Sequence, residues 1–238
     1  MARELNTVDG YWKVFWEEHA KSTATQCPQC QVLRTLNKEP VDATVLARLL
    51  EDIEEKMAIR PGDEILDLCC GNGWITTHLA SKCKRITGVD FVQELIDQID
   101  LERYPNASTV LADAREVEFE EKSFDKVIIY AGIQYLLYKE IDDLFNSIVH
   151  WLKDGGTLFI GDIPDQERIW NFFNTNERAQ AYFNSIRNEK PILGTWFSPQ
   201  WLAKLGRWAG FREVNILSQP EDLPGSHYRF DMALKKEG

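Results

Sequence analysis

Residues 64–74 constrain the fold of this chain more than any other stretch. The first half of the stretch is apolar and predicts a short buried strand, and residues 74–80 predict a helix directly after it. Between them, Gly71 and Gly73 allow a sharp turn and a close approach to a ligand, because neither has a Cβ atom. The helix directs free N–H groups and the positive end of its dipole at the same place. The stretch therefore predicts a nucleotide-type site at the carboxyl edge of an α/β sheet.

The alternation of β-rich runs with helical patterns extends over most of the chain. The β-rich runs are 64–69, 85–89, 108–111, 125–130 and 156–161, and the helical patterns between them cover about 74–82, 92–99 and 138–153. This order is typical of parallel βαβ units whose sheet is covered by helices on both faces. Asp42 predicts the N-cap of a further helix before the first strand. Two final runs, 213–217 and 228–234, predict an antiparallel pair.

Two aromatic-rich segments lie outside this alternation. In residues 5–20, the spacing of the apolar side chains predicts one apolar helical face. It consists of Leu5, Val8, Tyr11, Trp12, Phe15 and Trp16. This face could pack on the body of the protein or close over a ligand. Residues 165–197 are too many for a simple connection, so we expect a helical insertion there. Asp154, Gly155 and Gly156, in contrast, predict a tight turn before the fifth strand.

Charge and cysteine content exclude several classes of protein. The net charge of −11 argues against a nucleic-acid partner and, more weakly, against an anionic membrane surface. An odd number of cysteines, two of them adjacent, does not suggest a secreted disulfide framework. Cys27 and Cys30 form a CxxC without a second pair, so we expect no metal, with zinc or redox chemistry as the alternative. Since no leader or membrane-length apolar run is visible, we expect a cytoplasmic location.

Carboxylates occur where three successive predicted strands end. Asp67 lies in the first strand, Asp90 ends the second and Asp113 follows the third. Because the carboxyl ends of parallel strands meet at one edge, we expect all three to converge on one crevice. Asp90 follows the glycine turn at about the distance of an acid that binds both ribose hydroxyls. A carboxylate only accepts hydrogen bonds, which suits a diol.

Five motifs resemble those of class I S-adenosylmethionine-dependent methyltransferases. They are residues 64–73 (EILDLCCGNG), 86–91 (ITGVDF), 111–114 (LADA), 124–130 (FDKVIIY) and 152–158 (LKDGGTL). The resemblance implies a Rossmann-like α/β fold with a seven-stranded, mostly parallel sheet, an antiparallel last strand, helices on both faces and a helical insertion after strand five. Cys69 stands where the family has its first glycine, and Asp154 where it has a proline.

The resemblance also implies which residues bind S-adenosylmethionine. They are Asp67, Cys69, Gly71, Asn72, Gly73, Asp90, Phe91, Asp113, Ala114 and Tyr130, to which we add Tyr11 from the N-terminal helix. Asp67 and the glycine turn would hold the methionine end, and Asp90 would accept hydrogen bonds from the ribose. Asp113 would bind the adenine edge, and Tyr130 would lie near the sulfonium. Taken singly, residues such as Phe91 and Tyr130 are more often core residues than ligand contacts.

The implied activity is methyl transfer to a small molecule, with S-adenosylhomocysteine as the product. We expect the acceptor to be a hydroxyl of a metabolite or sugar-like precursor, with N-methylation of a small amine or non-catalytic cofactor binding as alternatives. Tyr130-Ala131-Gly132-Ile133 differs from the motif of nucleobase methylation, which again argues against nucleic acid. A nicotinamide-dependent enzyme is disfavoured because Thr76 stands where a third glycine would be.

The resemblance divides the single expected domain, 1–238, into three parts. Residues 1–40 form an N-terminal helical lid, 42–162 the cofactor-binding core and 165–197 an insertion over the substrate. Trp170 and Trp196 of this insertion are expected to roof the acceptor pocket. No catalytic residue is assigned, and the candidate bases are Asp162, Tyr135, His19 and His227. The sequence does not indicate an oligomeric state.

Overall fold

The computed structural model of the protein describes residues 8–36, 39–188, 190 and 192–238. Leu5, which the sequence pattern places on the first helix, lies outside the described residues. The helices are α1 (Val8–Thr23), α2 (Pro28–Gln31), α3 (Ala43–Met57), α4 (Trp74–Ala80), α5 (Gln93–Ile96), α6 (Tyr138–Trp151), α7 (Ile169–Phe172), α8 (Asn176–Arg187) and α9 (Pro199–Ala209). None of these described helices is long and apolar enough to cross a membrane.

Seven strands form one mixed sheet, which confirms the expected fold. They are β1 (Glu64–Leu68), β2 (Arg85–Asp90), β3 (Ala107–Leu111), β4 (Phe124–Tyr130), β5 (Leu152–Pro164), β6 (Phe211–Leu217) and β7 (Arg229–Lys236). Their order across the sheet is β3-β2-β1-β4-β5-β7-β6. Strand β7 runs antiparallel to both of its neighbours, β5 and β6. A separate two-residue hairpin pairs Thr35–Leu36 with Glu39–Pro40. The strand order reverses at β1, so a crevice forms beside the glycine turn.

Helices cover both faces of the sheet. Neighbouring residues of its central strands point to opposite faces, so each face presents apolar side chains to a helical layer. Ile128 packs into the layer that contains α3 and α4, whereas Ile129 packs into the layer that contains α6 and α9. The predicted cap of α3 is present, since Asp42 Oδ1 accepts a hydrogen bond from Thr44 N at 2.8 Å. Helix α1 packs separately on α5 through Ala20 and Leu95.

Two local predictions differ from the structure. The expected tight turn at 154–156 is instead part of β5, which begins at Leu152 and pairs with β4 through a bulge. Gly155 takes a φ of +74° there and donates a hydrogen bond to Glu237 O at 3.0 Å. The helix expected over 92–99 is shortened to Gln93–Ile96. The segment that follows this short helix places Ile99 against Gly73.

Candidate functional site

A cavity of about 530 Å³ lies where the carboxyl ends of the central strands meet. Its walls come from α1, the segment after α2, the glycine turn, the strand ends and the insertion. Eight of the predicted cofactor-binding residues line it: Tyr11, Cys69, Gly71, Asp90, Phe91, Asp113, Ala114 and Tyr130. The other three, Asp67, Asn72 and Gly73, are not among its described lining residues.

The glycine turn presents its backbone to this cavity. Cys69, Gly71 and Gly73 all have positive φ values, of 61°, 56° and 74°. Cys69 therefore has a backbone conformation that glycine adopts more easily. The methyltransferase motif that this stretch resembles has glycine at this position. A Cβ atom on Gly73 would lie 2.6 Å from Ile99, so this position requires glycine. Gly73 then caps α4, whose N-terminus points toward the turn.

Asp90 connects the end of β2 to the glycine turn. Its Oδ2 accepts a hydrogen bond from Gly71 N at 2.9 Å, and its Oδ1 accepts one from Val92 N at 3.0 Å. Burial raises the pKa of Asp90 to about 6, although both backbone hydrogen bonds act to lower it. Each carboxylate oxygen can accept a second hydrogen bond. Asp90 can therefore hold the turn and still bind a ligand diol.

Asp113 is already engaged by a protein cation. Arg115 donates to it from Nε at 2.8 Å and from Nη2 at 2.5 Å, and also donates to Glu140 at 2.8 Å. Partial burial acts to raise the pKa of Asp113, but the hydrogen bonds and charge of Arg115 outweigh it and the pKa is lowered. This carboxylate stays ionised at the β3 end of the cavity.

Asp67 and Asn72 support the turn from behind. Asp67 is 1% exposed, and its Oδ2 accepts a hydrogen bond from Thr76 Oγ1 at 2.6 Å. Burial raises the pKa of Asp67 to about 7. Asn72 Nδ2 donates to Pro28 O and to Gln31 Oε1, both at 2.9 Å. Asn72 thus fastens the N-terminal segment onto the turn.

The far end of the cavity contains two partly buried arginines around one carboxylate. Arg34 Nη1 donates to Asp162 Oδ2 at 2.7 Å, and its guanidinium lies over the Tyr130 ring at 4.6 Å from the centroid. Arg229 Nη1 lies 3.2 Å from the same carboxylate oxygen and donates to Gln134 Oε1 at 2.9 Å. The sequence carries no signal for either arginine, because neither lies in a recognised motif and their partners are distant in the chain.

The candidate bases are poorly suited to accept a proton. Burial acts to raise the pKa of Asp162, but Arg229 and Arg34 outweigh it and hold the value at about 2. Burial raises the pKa of Tyr135, whose hydroxyl accepts a hydrogen bond from Gln134 Nε2 at 2.9 Å. His19 and His227 are not among the described residues that line the cavity.

Helix α1 contributes more of the described lining residues of the cavity than the insertion does. The Trp12 ring packs on Tyr135 with centroids 4.8 Å apart. From the insertion, only Phe172 and Leu193 are among the described lining residues. The expectation that Trp170 and Trp196 roof the pocket is therefore wrong. Trp170 packs on α8 and is half exposed, and Trp196 is buried among neighbouring aromatic rings.

The CxxC lies at the start of α2, outside the cavity wall. Cys27 caps this helix, and its Sγ accepts a hydrogen bond from Cys30 N at 3.2 Å. Both thiols are free. Over the part of the chain that the structure describes, no group of three or more histidines, cysteines and acids could hold a metal.

Comparison with known proteins finds methyltransferases among those similar to this chain. A sequence model of the methyltransferase domain matches residues 65–156. Phosphoethanolamine N-methyltransferase 1 of Triticum aestivum is 30% identical over 62% of this chain, and N-methyltransferase 4 of Papaver somniferum is 33% identical over 42% of it. The chain spans only 29% and 30% of the lengths of these two relatives.

Solved structures with the same fold include a methyltransferase complex. Haemonchus contortus phosphoethanolamine N-methyltransferase 1, with phosphoethanolamine and S-adenosylhomocysteine, superposes with a TM-score of 0.71 and 17% identity over 97% of this chain and 49% of that one. A methyltransferase from Methanosarcina mazei, described as S-adenosylmethionine-dependent, gives a TM-score of 0.60 at 19% identity over 78% of this chain and 97% of that one. At these identities the likeness concerns the fold.

Proposed function

Because the chain belongs to the class I S-adenosylmethionine-dependent methyltransferases, we propose that it transfers a methyl group from S-adenosylmethionine to a small-molecule acceptor. One observation carries this proposal: a single cavity joins the glycine turn and Asp90 to a second end lined by Arg34, Tyr135 and Arg229. The first end has the features of a cofactor site, and the second is a separate place for an acceptor. Non-catalytic cofactor binding remains the alternative.

The residues at the first end fit S-adenosylmethionine. The turn offers a backbone without a side chain at Gly71, where a Cβ atom would approach Val32 to 3.0 Å. Asp90 keeps acceptor capacity for a diol, and Asp113 and Phe91 lie on the same wall. When bound, the cofactor supplies an electrophilic methyl group on a sulfonium. The chain's own contribution is to align the acceptor and to exclude water.

The acceptor end favours a nitrogen atom over a hydroxyl. A hydroxyl needs a base to remove its proton during transfer, whereas a neutral amine already offers a lone pair. The low pKa of Asp162 and the raised pKa of Tyr135 make both poor bases near neutral pH. No histidine is among the described lining residues. We therefore place N-methylation of a small amine ahead of the hydroxyl methylation that the sequence alone favours.

The proposed roles of the chain's parts follow from the same cavity. Residues 1–40 act as a lid, 42–162 as the cofactor-binding core and 165–197 as a cap on the substrate side. Support for the lid comes from α1, which contributes Tyr11, Trp12 and Phe15 to the wall. Phe172 and Leu193, in place of the two tryptophans, are the proposed contacts of the insertion with the acceptor.

A matched acceptor panel tests this function. Purified protein is incubated with S-adenosylmethionine and with pairs of small molecules that differ only in having an amine or a hydroxyl, and S-adenosylhomocysteine formation is followed. We expect turnover with amines and, by mass spectrometry, a methyl group on nitrogen. Turnover restricted to the hydroxyl members would contradict the choice of acceptor atom. Tight S-adenosylhomocysteine binding without turnover on any member would favour the non-catalytic alternative.

A further inference from the structure

We propose that Arg34 and Arg229 bind an oxyanion of the acceptor, a phosphate or carboxylate group, at the far end of the cavity. The proposal rests on the proposed function and narrows its substrate to small molecules that carry a negative charge. It makes Asp162 the group that positions the two guanidiniums, in place of the proton acceptor that the sequence suggests.

The two guanidiniums have donors that the protein does not use. An arginine carries five N–H groups. Among the described residues, Arg34 makes a single side-chain hydrogen bond, to Asp162. The hydrogen bonds of Arg229 to Gln134 Oε1 and Asp162 O both start from Nη1, and a further contact goes to Tyr228. Both side chains are more than four-fifths buried yet line the cavity. Their remaining donors are therefore available to a ligand there.

The charge at the far end of the cavity favours binding of an anion. Two guanidiniums face one carboxylate, so the cavity side carries a net positive charge. Behind Asp162, Lys56 lies between Asp52 and Asp231, at 2.6 and 2.7 Å, and this second cluster carries the compensating negative charge away from the cavity. One carboxylate does not neutralise two guanidiniums, and a bound sulfonium would add to the positive charge. An acceptor oxyanion would offset it through paired N–H donors.

The two arginines lie at different distances from the cofactor end. From β1, which carries the glycine turn, the sheet continues through β4 and β5 to β7. Neighbouring strands lie about 4.8 Å apart, so Arg229 on β7 is on the order of 14 Å from the turn. Arg34 lies closer to the turn, because its guanidinium is over the Tyr130 ring and 5.9 Å from the centroid of the Trp74 ring. Because the methionine end of the cofactor also carries a carboxylate, the test must distinguish the two sources of the anion.

Titration of a simple anion into the protein saturated with S-adenosylhomocysteine tests the proposal. Inorganic phosphate and acetate are the probes, and calorimetry gives the affinity. We expect Arg229→Gln to weaken binding of the better probe at least about tenfold and to leave S-adenosylhomocysteine affinity within about twofold. Arg229→Lys, which keeps the charge but loses the planar fork, should bind the anion with intermediate affinity. The matched control is Arg212→Gln, which removes an exposed arginine paired with Glu237 on the sheet edge.

Arg34→Gln identifies the source of the anion that Arg34 binds. The proposal expects equal affinity of this variant and the wild type for S-adenosylhomocysteine and for 5′-methylthioadenosine, which lacks the amino-acid end. Loss of S-adenosylhomocysteine binding alone would assign Arg34 to the cofactor carboxylate and overturn the proposal. Failure of the loaded wild type to bind either probe, or equal binding by Arg229→Gln, would also overturn it. Failure of the wild type to bind S-adenosylhomocysteine would instead reject the proposed function.

Discussion

Three aspartates at one edge of the sheet differ in pKa because their partners differ. Asp67 is buried against the Thr76 hydroxyl, and its pKa rises to about 7. Asp90 is buried too, but two backbone N–H groups stabilise its charge and the pKa is about 6. Asp162 has two guanidiniums, which hold its pKa at about 2. Burial without a cation disfavours the ionised form, whereas paired cations favour it.

Replacing Asp67 by asparagine should change how stability depends on pH. The pKa of Asp67 is about 7 in the folded protein and about 4 in the unfolded chain. The contribution of Asp67 to folding stability is therefore fully present below pH ~4 and is lost as pH rises through ~7. Asp67→Asn removes this loss. In urea denaturation, the free energy of unfolding of the variant relative to that of the wild type should therefore increase by roughly a few kcal/mol between those pH values. Asp222→Asn, at an exposed site, is the control. Parallel stability curves for wild type and Asp67→Asn would contradict the assignment.

At the scale of elements, the N-terminal segment 24–36 depends on side chains for its position. Its only helix is the single turn α2, which has little intrinsic stability. Gln31 and Asn72 join it to the glycine turn at 2.9 Å, and Gln29 joins it to Val41 N at 2.8 Å. Arg34 then extends from this segment to Asp162. The segment therefore connects the cofactor end of the cavity with the acceptor end.

Gln31→Ala should loosen this segment more than the rest of the protein. The substitution removes the hydrogen bond from Asn72 and leaves a buried amide without that partner, which costs about 1–3 kcal/mol. Hydrogen exchange measured by mass spectrometry should show faster exchange in peptides from 24–36 and little change in β4. Gln98→Ala, on an exposed turn, is the matched control. A uniform increase in exchange across the sheet would show that the segment is not a separate unit.

At the scale of the whole molecule, segments far apart in the chain build the cavity. α1 and the segment after α2 form one side, the ends of β1 to β5 form the floor, and β7 closes the far end. Arg34 and Asp162 meet although 128 positions separate them. Ligand binding at such a site stabilises the entire fold, because unfolding abolishes the site.

S-adenosylhomocysteine should raise the melting temperature, and NAD should not. At a concentration of about 100 times Kd, a ligand adds about 2.7 kcal/mol, which corresponds to roughly 5–10 °C for a domain of this size. Asp90→Ala should lose most of this rise at the same concentration, since its carboxylate connects the turn to the ligand diol. Asp222→Ala serves as the control. An equal rise with NAD, or an unchanged rise in Asp90→Ala, would contradict the cofactor assignment.

Local sequence patterns determined the architecture of this protein. The apolar runs set β1, β2 and β4, the Asp42 cap set the start of α3, and the glycine turn set the β1–α4 connection, because neighbouring residues encode periodicity, capping and turn geometry. Eight of the predicted cofactor-binding residues consequently lie on one cavity. Those patterns also indicated the family.

Only the tertiary structure decided which charges meet. Arg34, Asp162 and Arg229 come from three separate segments, and no spacing in the sequence relates them. Asp67 and Asp90 both lie near the carboxyl ends of adjacent strands, yet one is behind the turn and the other is on the cavity wall. Trp196 packs inside the insertion, while Phe172 reaches the cavity. Side-chain partners and burial depend on the packing of distant segments, which local pattern does not encode.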